Sequence, residues 1–440
     1  MKKQLTIASA AVSLAVLPML MPAKDASAIP AFARKYGTSC YTCHSGFPAR
    51  NAFGEAFKNN GYRWPGGEDE DKTKQEQTKM GADGWKKTFP ESPWPAEIPG
   101  YAPVSLWVRG NLIDYKEEFK TRGGTVTKSR FQQGSSGMLN NASLFFGGTM
   151  GDNLSALIQY NPTAGSTTGQ VVWNFKPGLK LSLGNGFTDL TFGNQTNIGV
   201  GAISGLVPGL GSNAELVYIP QDYFKISAGI GQVGTANNDK WADAKYLRLK
   251  YKVSGAGLLS GAGGTYGNEF VGLDNNITFG ATVFHAAANT ATGDFAIGNE
   301  NENLVYEADV TGNYGSFMGS IGMSRSTNLK KNNLRADVGY FFYPWLKGAA
   351  TYRSMQSALN PSLAVSLTAH LRANASLTAT YTAFTEKWAP EAVKPADTAE
   401  NANTFTSFYT SSDDINGINM RISQEKHSMK EKTIGYAGSV

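Results

Sequence analysis

Two cysteines and four histidines are the only soft metal ligands of those types in this 440-residue chain, and three of the six fall within five positions. Cys40, Cys43 and His44 stand in the run Tyr36-Gly37-Thr38-Ser39-Cys40-Tyr41-Thr42-Cys43-His44. Cys-x-x-Cys-His is the attachment signature of a c-type haem. Two thiols separated by two residues reach the two vinyl groups on one edge of a porphyrin, and the adjacent imidazole comes up under the ring to ligate iron. A zinc site would need another pair of soft ligands, and the remaining histidines, His285, His370 and His427, are scattered far downstream. The expected cofactor is therefore one covalently bound haem c on Cys40 and Cys43, with His44 as iron ligand. With both cysteines used in this way, no disulfide framework is available.

The sixth iron ligand is less sharply specified. Residues 29–100 contain no second histidine, and Met80 is their only methionine. Met80 is the sixth-ligand candidate, since Met/His ligation is an established pattern in cytochromes c. A ligand from elsewhere in the chain, such as His285, or an open position are the alternatives. A haem enzyme such as a peroxidase would need an open iron position with distal acid–base groups, and the segment offers no second histidine for that role.

The elements that must position these residues are short. Residues 51–60 read as a helix with Phe53 and Phe57 on one face and Gly61 as its stop. Phe32, Ala33, Tyr36, Phe47, Phe53, Phe57 and Tyr62 supply apolar cover for a porphyrin. Residues 66–79 read as a solvated loop, 81–88 as a further helical turn, and 89–103 as a Pro-rich tether. Some 70 residues with so little aliphatic content make a thin core, to be completed by haem or by an enclosing partner. Residues 1–28 read as a secretory signal: Lys2 and Lys3, an apolar stretch, then Ala26-Ser27-Ala28. Export fits haem c, which is attached outside the bacterial cytoplasm.

From about residue 101 to 440 the hydrophobic period changes to two. Leu247, Leu249, Tyr251 and Val253 alternate with Arg248, Lys250 and Lys252. Residues 363–371 are apolar at odd positions and small or polar at even ones, and 375–383 repeat the pattern. Such alternation argues for strands with one apolar and one polar face. Tight turns at Gly151-Asp152-Asn153, Lys176-Pro177-Gly178 and Tyr343-Pro344-Trp345 alternate with long polar stretches at 116–136, 290–303 and 386–414. That is the outer-membrane barrel pattern, with about 16 strands for this length; Tyr101, Tyr160, Tyr218, Tyr223, Tyr343, Trp345 and Tyr352 suit interfacial girdles. A soluble β-sandwich or β-helix is the competing architecture. The Gly-rich stretch 197–212 fits neither strand nor helix and reads as a loop, either folded into the lumen or free. The net charge of +5, without a long basic run, gives no support to nucleic-acid binding.

Residues 29–64, read together, resemble a known family, the fused outer-membrane monohaem cytochrome–porins. The resemblance is carried by Ile29-Pro30-Ala31-Phe32-Ala33-Arg34-Lys35-Tyr36-Gly37-Thr38-Ser39-Cys40, Cys43-His44, Phe47-Pro48, Asn51-Ala52-Phe53-Gly54, Ala56-Phe57-Lys58 and Gly61-Tyr62. Trp85-Lys86-Lys87 and Trp94-Pro95 to Ile98-Pro99 are similar to the family's link into its barrel. The resemblance implies three parts: a leader at 1–28, a small helical-and-loop cytochrome module at 29–100 plugging the lumen, and a porin-like antiparallel barrel at 101–440. It implies residence in the outer membrane of a Gram-negative bacterium, in contact with its lipid. Electrons would pass between an extracellular donor or acceptor and a periplasmic c-type cytochrome or other soluble carrier. The best-known branch oxidises ferrous iron; where that branch usually has Arg-Gln before Thr-Gly, this chain has Arg34-Lys35-Tyr36-Gly37. The alternative function is a solute or anion porin, with the haem module as a structural or gating plug and Arg248, Lys250 and Lys252 as selecting charges.

Overall fold

The computed structural model describes residues 31–46, 49–65, 77–80, 87, 96–99, 103–109, 113–114, 118–120, 126–128, 132–133, 141–150, 153–162, 164–190, 210–233, 244–261, 266–286, 303–327, 332–355, 359–372, 375–384 and 404–406. The expected leader at 1–28 lies outside them, as does the expected helical turn at 81–88 apart from Lys87. Two parts are seen: a small N-terminal module and one large antiparallel sheet.

The sheet has 16 strands. In chain order they are β1 Val104–Arg109, β2 Asn141–Met150, β3 Leu154–Asn161, β4 Ser166–Lys176, β5 Leu179–Asn185, β6 Leu210–Gln221, β7 Phe224–Val233 and β8 Ala244–Val253. Then follow β9 Asn276–Ala286, β10 Asn303–Tyr314, β11 Phe317–Ser326, β12 Asn332–Tyr343, β13 Leu346–Met355, β14 Leu359–Arg372, β15 Ala375–Phe384 and β16 Thr404–Thr406. Each strand pairs with the next in sequence, so the sheet is an uninterrupted meander. Among the described residues no ladder joins β16 to β1. Of the Gly-rich stretch, Leu210, Gly211 and Ser212 belong to β6; residues 197–209 lie outside the described set.

The alternation read in the sequence is real, and its polarity is inverted relative to a soluble sheet. In β8, Leu247, Leu249, Tyr251 and Val253 are between 38% and 52% exposed, while Arg248 is 3% exposed and Lys252 is also buried. The same holds along β9, where Ile277, Phe279 and Val283 are exposed and Thr278 and Thr282 buried, and in β14, where Leu363, Val365 and Leu367 face out and Thr368 is buried. A sheet in water hides its apolar face; this one exposes apolar residues and hides a face of mostly polar side chains, interrupted by apolar clusters such as Tyr246, Phe284 and Val305, and Met318 with Phe341. Tyr343 and Trp345, stacked with centroids 5.6 Å apart at a turn, lie on the exposed surface.

The two rims of the sheet differ. On one rim the connections after β2, β4, β6, β10, β12 and β14 are tight turns of two or three residues, and only the link 254–275 is long. Apart from 356–358, the opposite rim carries longer links, among them 110–140, 186–209 and 287–302.

The described part of the module is α1 (Ala31–Tyr36), a single 3-10 turn at Cys40–Thr42, a small hairpin of His44–Gly46 with Ala49–Arg50, and α2 (Ala52–Asn59). The helix expected at 51–60 is thus present, with Asn51 as N-cap and Gly61 in the left-handed conformation just past its end. Part of the expected solvated loop is ordered instead: Gln77–Met80 pairs with Ala96–Pro99 from the Pro-rich tether. The Gln-Thr-Lys-Met run has no apolar alternation to announce a strand; only its partner makes it one.

The module lies on the sheet's polar face at the tight-turn rim. Ala31 donates its backbone N–H to Ser105 Oγ in β1 at 3.2 Å, Lys35 Nζ donates to Thr149 Oγ1 in β2 at 2.7 Å, and Arg63 donates to the Leu154 carbonyl at the start of β3. Gly46 meets His370 in β14. The first and fourteenth strands therefore both reach one small module, so the sheet curves around it.

Candidate haem-attachment site

The Cys-x-x-Cys-His turn is held from three sides. Ser39 caps it and accepts from the Tyr41 N–H, and the Cys43 N–H closes the turn on the Cys40 carbonyl at 3.2 Å. Asn51 is the fastener. Its Oδ1 accepts from the Gly54 N–H at 2.9 Å, its Nδ2 donates to the Tyr41 carbonyl at 2.8 Å and to the Val271 carbonyl at 3.4 Å, and its backbone N–H donates to the Cys43 carbonyl at 3.0 Å. One side chain thus joins the motif, the start of α2 and the long 254–275 link of the sheet. Gly54 allows the closeness, because a Cβ there would overlap the Cys43 carbonyl oxygen.

Cys40 is buried and Cys43 half-buried, and no disulfide joins them. Burial, reinforced by the neighbouring Cys40, pushes the Cys43 thiol up to about 12. The aromatics expected to cover a porphyrin pack chiefly on one another and on the sheet. Phe32 stacks on Tyr62 at 5.7 Å and meets Phe57 edge-on at 5.2 Å, and Trp64 packs against Phe53 and Tyr36 at 4.8 and 5.2 Å. Cys43 touches this cluster, as do Leu157 and the fully buried Val172 from the sheet. Trp64 belongs to this set on the same footing as the expected residues. Phe47 lies outside the described residues.

A buried ion network locks the module's α2 to the sheet. Glu55 lies 3.1 Å from Lys250 in β8 and 3.1 Å from Arg50. Lys58 lies 2.6 Å from Asp189, which also pairs with Lys225 of β7. Lys180 donates to the Lys58 carbonyl at 2.6 Å and Lys225 to Asn59 Oδ1 at 2.7 Å. Burial pushes the Glu55 carboxyl up, but Lys250, Arg50 and Lys225 outweigh it and hold it well below the usual range. Burial likewise opposes Asp189, and Lys225, Lys58 and Lys180 overcome it. Arg248 and Lys252, named as anion-selecting charges, are paired too: Arg248 with Asp309 at 2.7 Å and Lys252 with Asp274 at 2.6 Å.

The other expected ligands lie apart. Met80 ends its strand opposite Ala96, and its side chain is outside the described residues. His285 is next to the last residue of β9, at the long-link rim. Nine residues separate it from the start of that strand, roughly 30 Å from the tight-turn rim. The histidine that does meet the motif's segment is His370, buried on the polar face of β14 against Gly46. The sequence held one signal for it, since even positions of 363–371 form the polar face; its pairing with the motif is purely tertiary. Two thiols in one turn, an adjacent histidine and a second buried imidazole beside their strand form a donor set that fits a haem c.

No family model and no curated protein matches the chain. Solved structures with a similar arrangement of strands include bacterial outer-membrane proteins and porins. OmpF of Salmonella typhi, in complex with daunomycin, is 9% identical with a TM-score of 0.44, over 72% of this chain and 97% of that one. The anion-selective porin of Comamonas acidovorans is 10% identical with a TM-score of 0.41, over 73% and 99%. OmpT of Vibrio cholerae is 14% identical with a TM-score of 0.37, over 73% and 98%. At such scores the likeness decides nothing about function, which has to come from the chain's own residues.

Proposed function

We propose that this chain is an outer-membrane β-barrel whose N-terminal module carries one haem c against the barrel's polar lining, and that it passes single electrons between an extracellular donor or acceptor and a periplasmic carrier. The inverted polarity of the sheet supports the membrane reading. An exposed apolar band around a hidden polar lining suits lipid outside and an aqueous lumen inside, and closure of the sheet would satisfy its edge strands. The observation that carries the electron-transfer reading is the docking of the Cys40–His44 turn: it is fastened by Asn51 to both α2 and the 254–275 link between β8 and β9, on a module tied by buried ion pairs to the polar face.

Bound haem c supplies a one-electron iron couple. The chain's own groups do the rest. Cys40 and Cys43 would hold the haem covalently, His44 would ligate its iron, and the cluster around Phe32, Phe57 and Tyr62 packs beside Cys43 and would keep water from it. Tight turns mark the periplasmic rim in bacterial barrels. Docking at that rim brings the module beside a periplasmic cytochrome and leaves a small dissolved donor to enter from the long-link rim. Ferrous iron is the leading donor.

The solute-porin reading is favoured by the sheet taken alone, whose hidden face is lined with charge. Against anion selection, Arg248, Lys250 and Lys252 each have a carboxylate partner. Liposomes carrying the protein, with an acceptor sealed inside and an impermeant reductant outside, separate the two. Internal reduction is expected with the wild type and is lost in His44→Ala, whose insertion is checked by heat-modifiable migration. Equal reduction by both proteins, with substantial single-channel conductance, would make it a porin.

A further inference from the structure

Attachment through Cys40, Cys43 and His44 leaves the other side of an iron to be filled. His370 stands two residues before the end of β14, at the rim where the module docks. It is 7% exposed, its ring lies against Phe341 with centroids 6.4 Å apart and planes at 26°, and its backbone N–H donates to the Trp345 carbonyl at 2.7 Å. Its Nε2 is buried without a hydrogen-bond partner among the described residues. A polar atom left so costs on the order of 1–3 kcal/mol, a cost that metal coordination would remove.

The ring lies directly against Gly46. A Cβ there would come within 2.6 Å of His370 Nε2, and the backbone φ of +156° is one that L side chains rarely adopt. Gly46 is two residues from His44, roughly 7 Å along extended chain. Glycine at this point opens the space through which an imidazole from the sheet approaches the motif's strand. Neither expected alternative has such placement: Met80 is paired in its own hairpin, and His285 sits at the far rim.

We propose that His370 supplies the sixth ligand, so that the iron is bis-histidine with one imidazole from the module and one from the barrel wall. The inference rests on the haem reading above. It makes ligation a reporter of docking, because a module drawn away from β14 would lose its sixth ligand. It also sets the potential lower than Met/His ligation would.

The test uses purified full-length protein in detergent, read by electron paramagnetic resonance and optical spectroscopy. Wild type should give a ferric low-spin, bis-imidazole signal without the methionine-to-iron charge-transfer absorption. His370→Ala should keep covalent haem, turn high-spin and regain low spin on adding imidazole. His370→Gln, which preserves side-chain bulk, should also lose the bis-imidazole signal, while Met80→Ala and His285→Ala should not. A methionine band in the wild type, or an unchanged low-spin signal in His370→Ala and His370→Gln, overturns the ligand assignment and leaves haem attachment standing. A wild-type protein without covalent haem overturns the proposed function itself.

Discussion

The module and the sheet expose different kinds of residue, although the sheet also buries apolar clusters around Phe284 and Phe341. Around Phe57 the module gathers Phe32, Tyr36 and Tyr62 and turns its charged groups toward the sheet. The sheet turns Leu247, Leu249 and Tyr251 outward and buries Arg248, Asp309, Arg335 and Asp337. Each fits a different solvent: apolar residues inside suit water, and apolar residues outside suit lipid. The seam between them is therefore polar on both sides. There it is held by ion pairs and side-chain hydrogen bonds, with the Phe32 cluster against Val172 as its apolar patch.

If the two regions are separable in this way, haem attachment belongs wholly to the module. The Cys40→Ala, Cys43→Ala double variant should lose all haem staining on a denaturing gel and keep the heat-dependent migration of a folded barrel. Retained staining would remove the haem assignment, and loss of the barrel would mean that the sheet needs the loaded module.

The polar seam should fail next. Asp189→Asn leaves the buried Lys58 without its carboxylate and Lys225 with only Glu55, 3.8 Å away, at a cost of about 3–5 kcal/mol. Proteolysis of the module should rise steeply while the sheet remains protected. Acid should act in the same direction. Glu55 and Asp189 have folded-state pKa values below their ordinary values of 4.5 and 3.8. Their contribution is thus complete above that range and is lost as pH falls through the depressed values. Undocking that instead began above pH 6 would point to other groups.

The outer face has its own probe. Leu249→Arg, in mid-strand on the exposed side of β8, should cost about 2–4 kcal/mol in lipid, read as a lower urea midpoint in vesicles. A neutral result would mean that this face does not meet hydrocarbon. An effect no larger is expected at the fastener. Asn51→Ala removes an N-cap worth about 1 kcal/mol and the Nδ2 bonds to the Tyr41 and Val271 carbonyls, each worth about 0.5–1.5 kcal/mol, lowering the module's unfolding midpoint and leaving that of the sheet unchanged.

Much of this was legible in the linear chain, because its rules are local. Alternation of period two is a property of neighbours along one strand, so Leu247 to Val253 announced both strand and sidedness. The Asn51 cap and Gly61 stop are set within a turn or two, and Cys-x-x-Cys-His carries its chemistry in its spacing. Where local signals were weak, the reading failed: Gln77–Met80 became a strand only through Ala96–Pro99. Nor could the chain say how far the buried cations would be neutralised, since Lys250 finds Glu55 and Lys58 finds Asp189 across 195 and 131 residues. His370 and Gly46 stand 324 positions apart in the sequence. Alternation put His370 on the polar face, but only the curvature of the sheet around the module brings it to the strand that begins with His44. Spacing determines which groups can act together within a turn; the curvature of a long meander determines which distant groups meet.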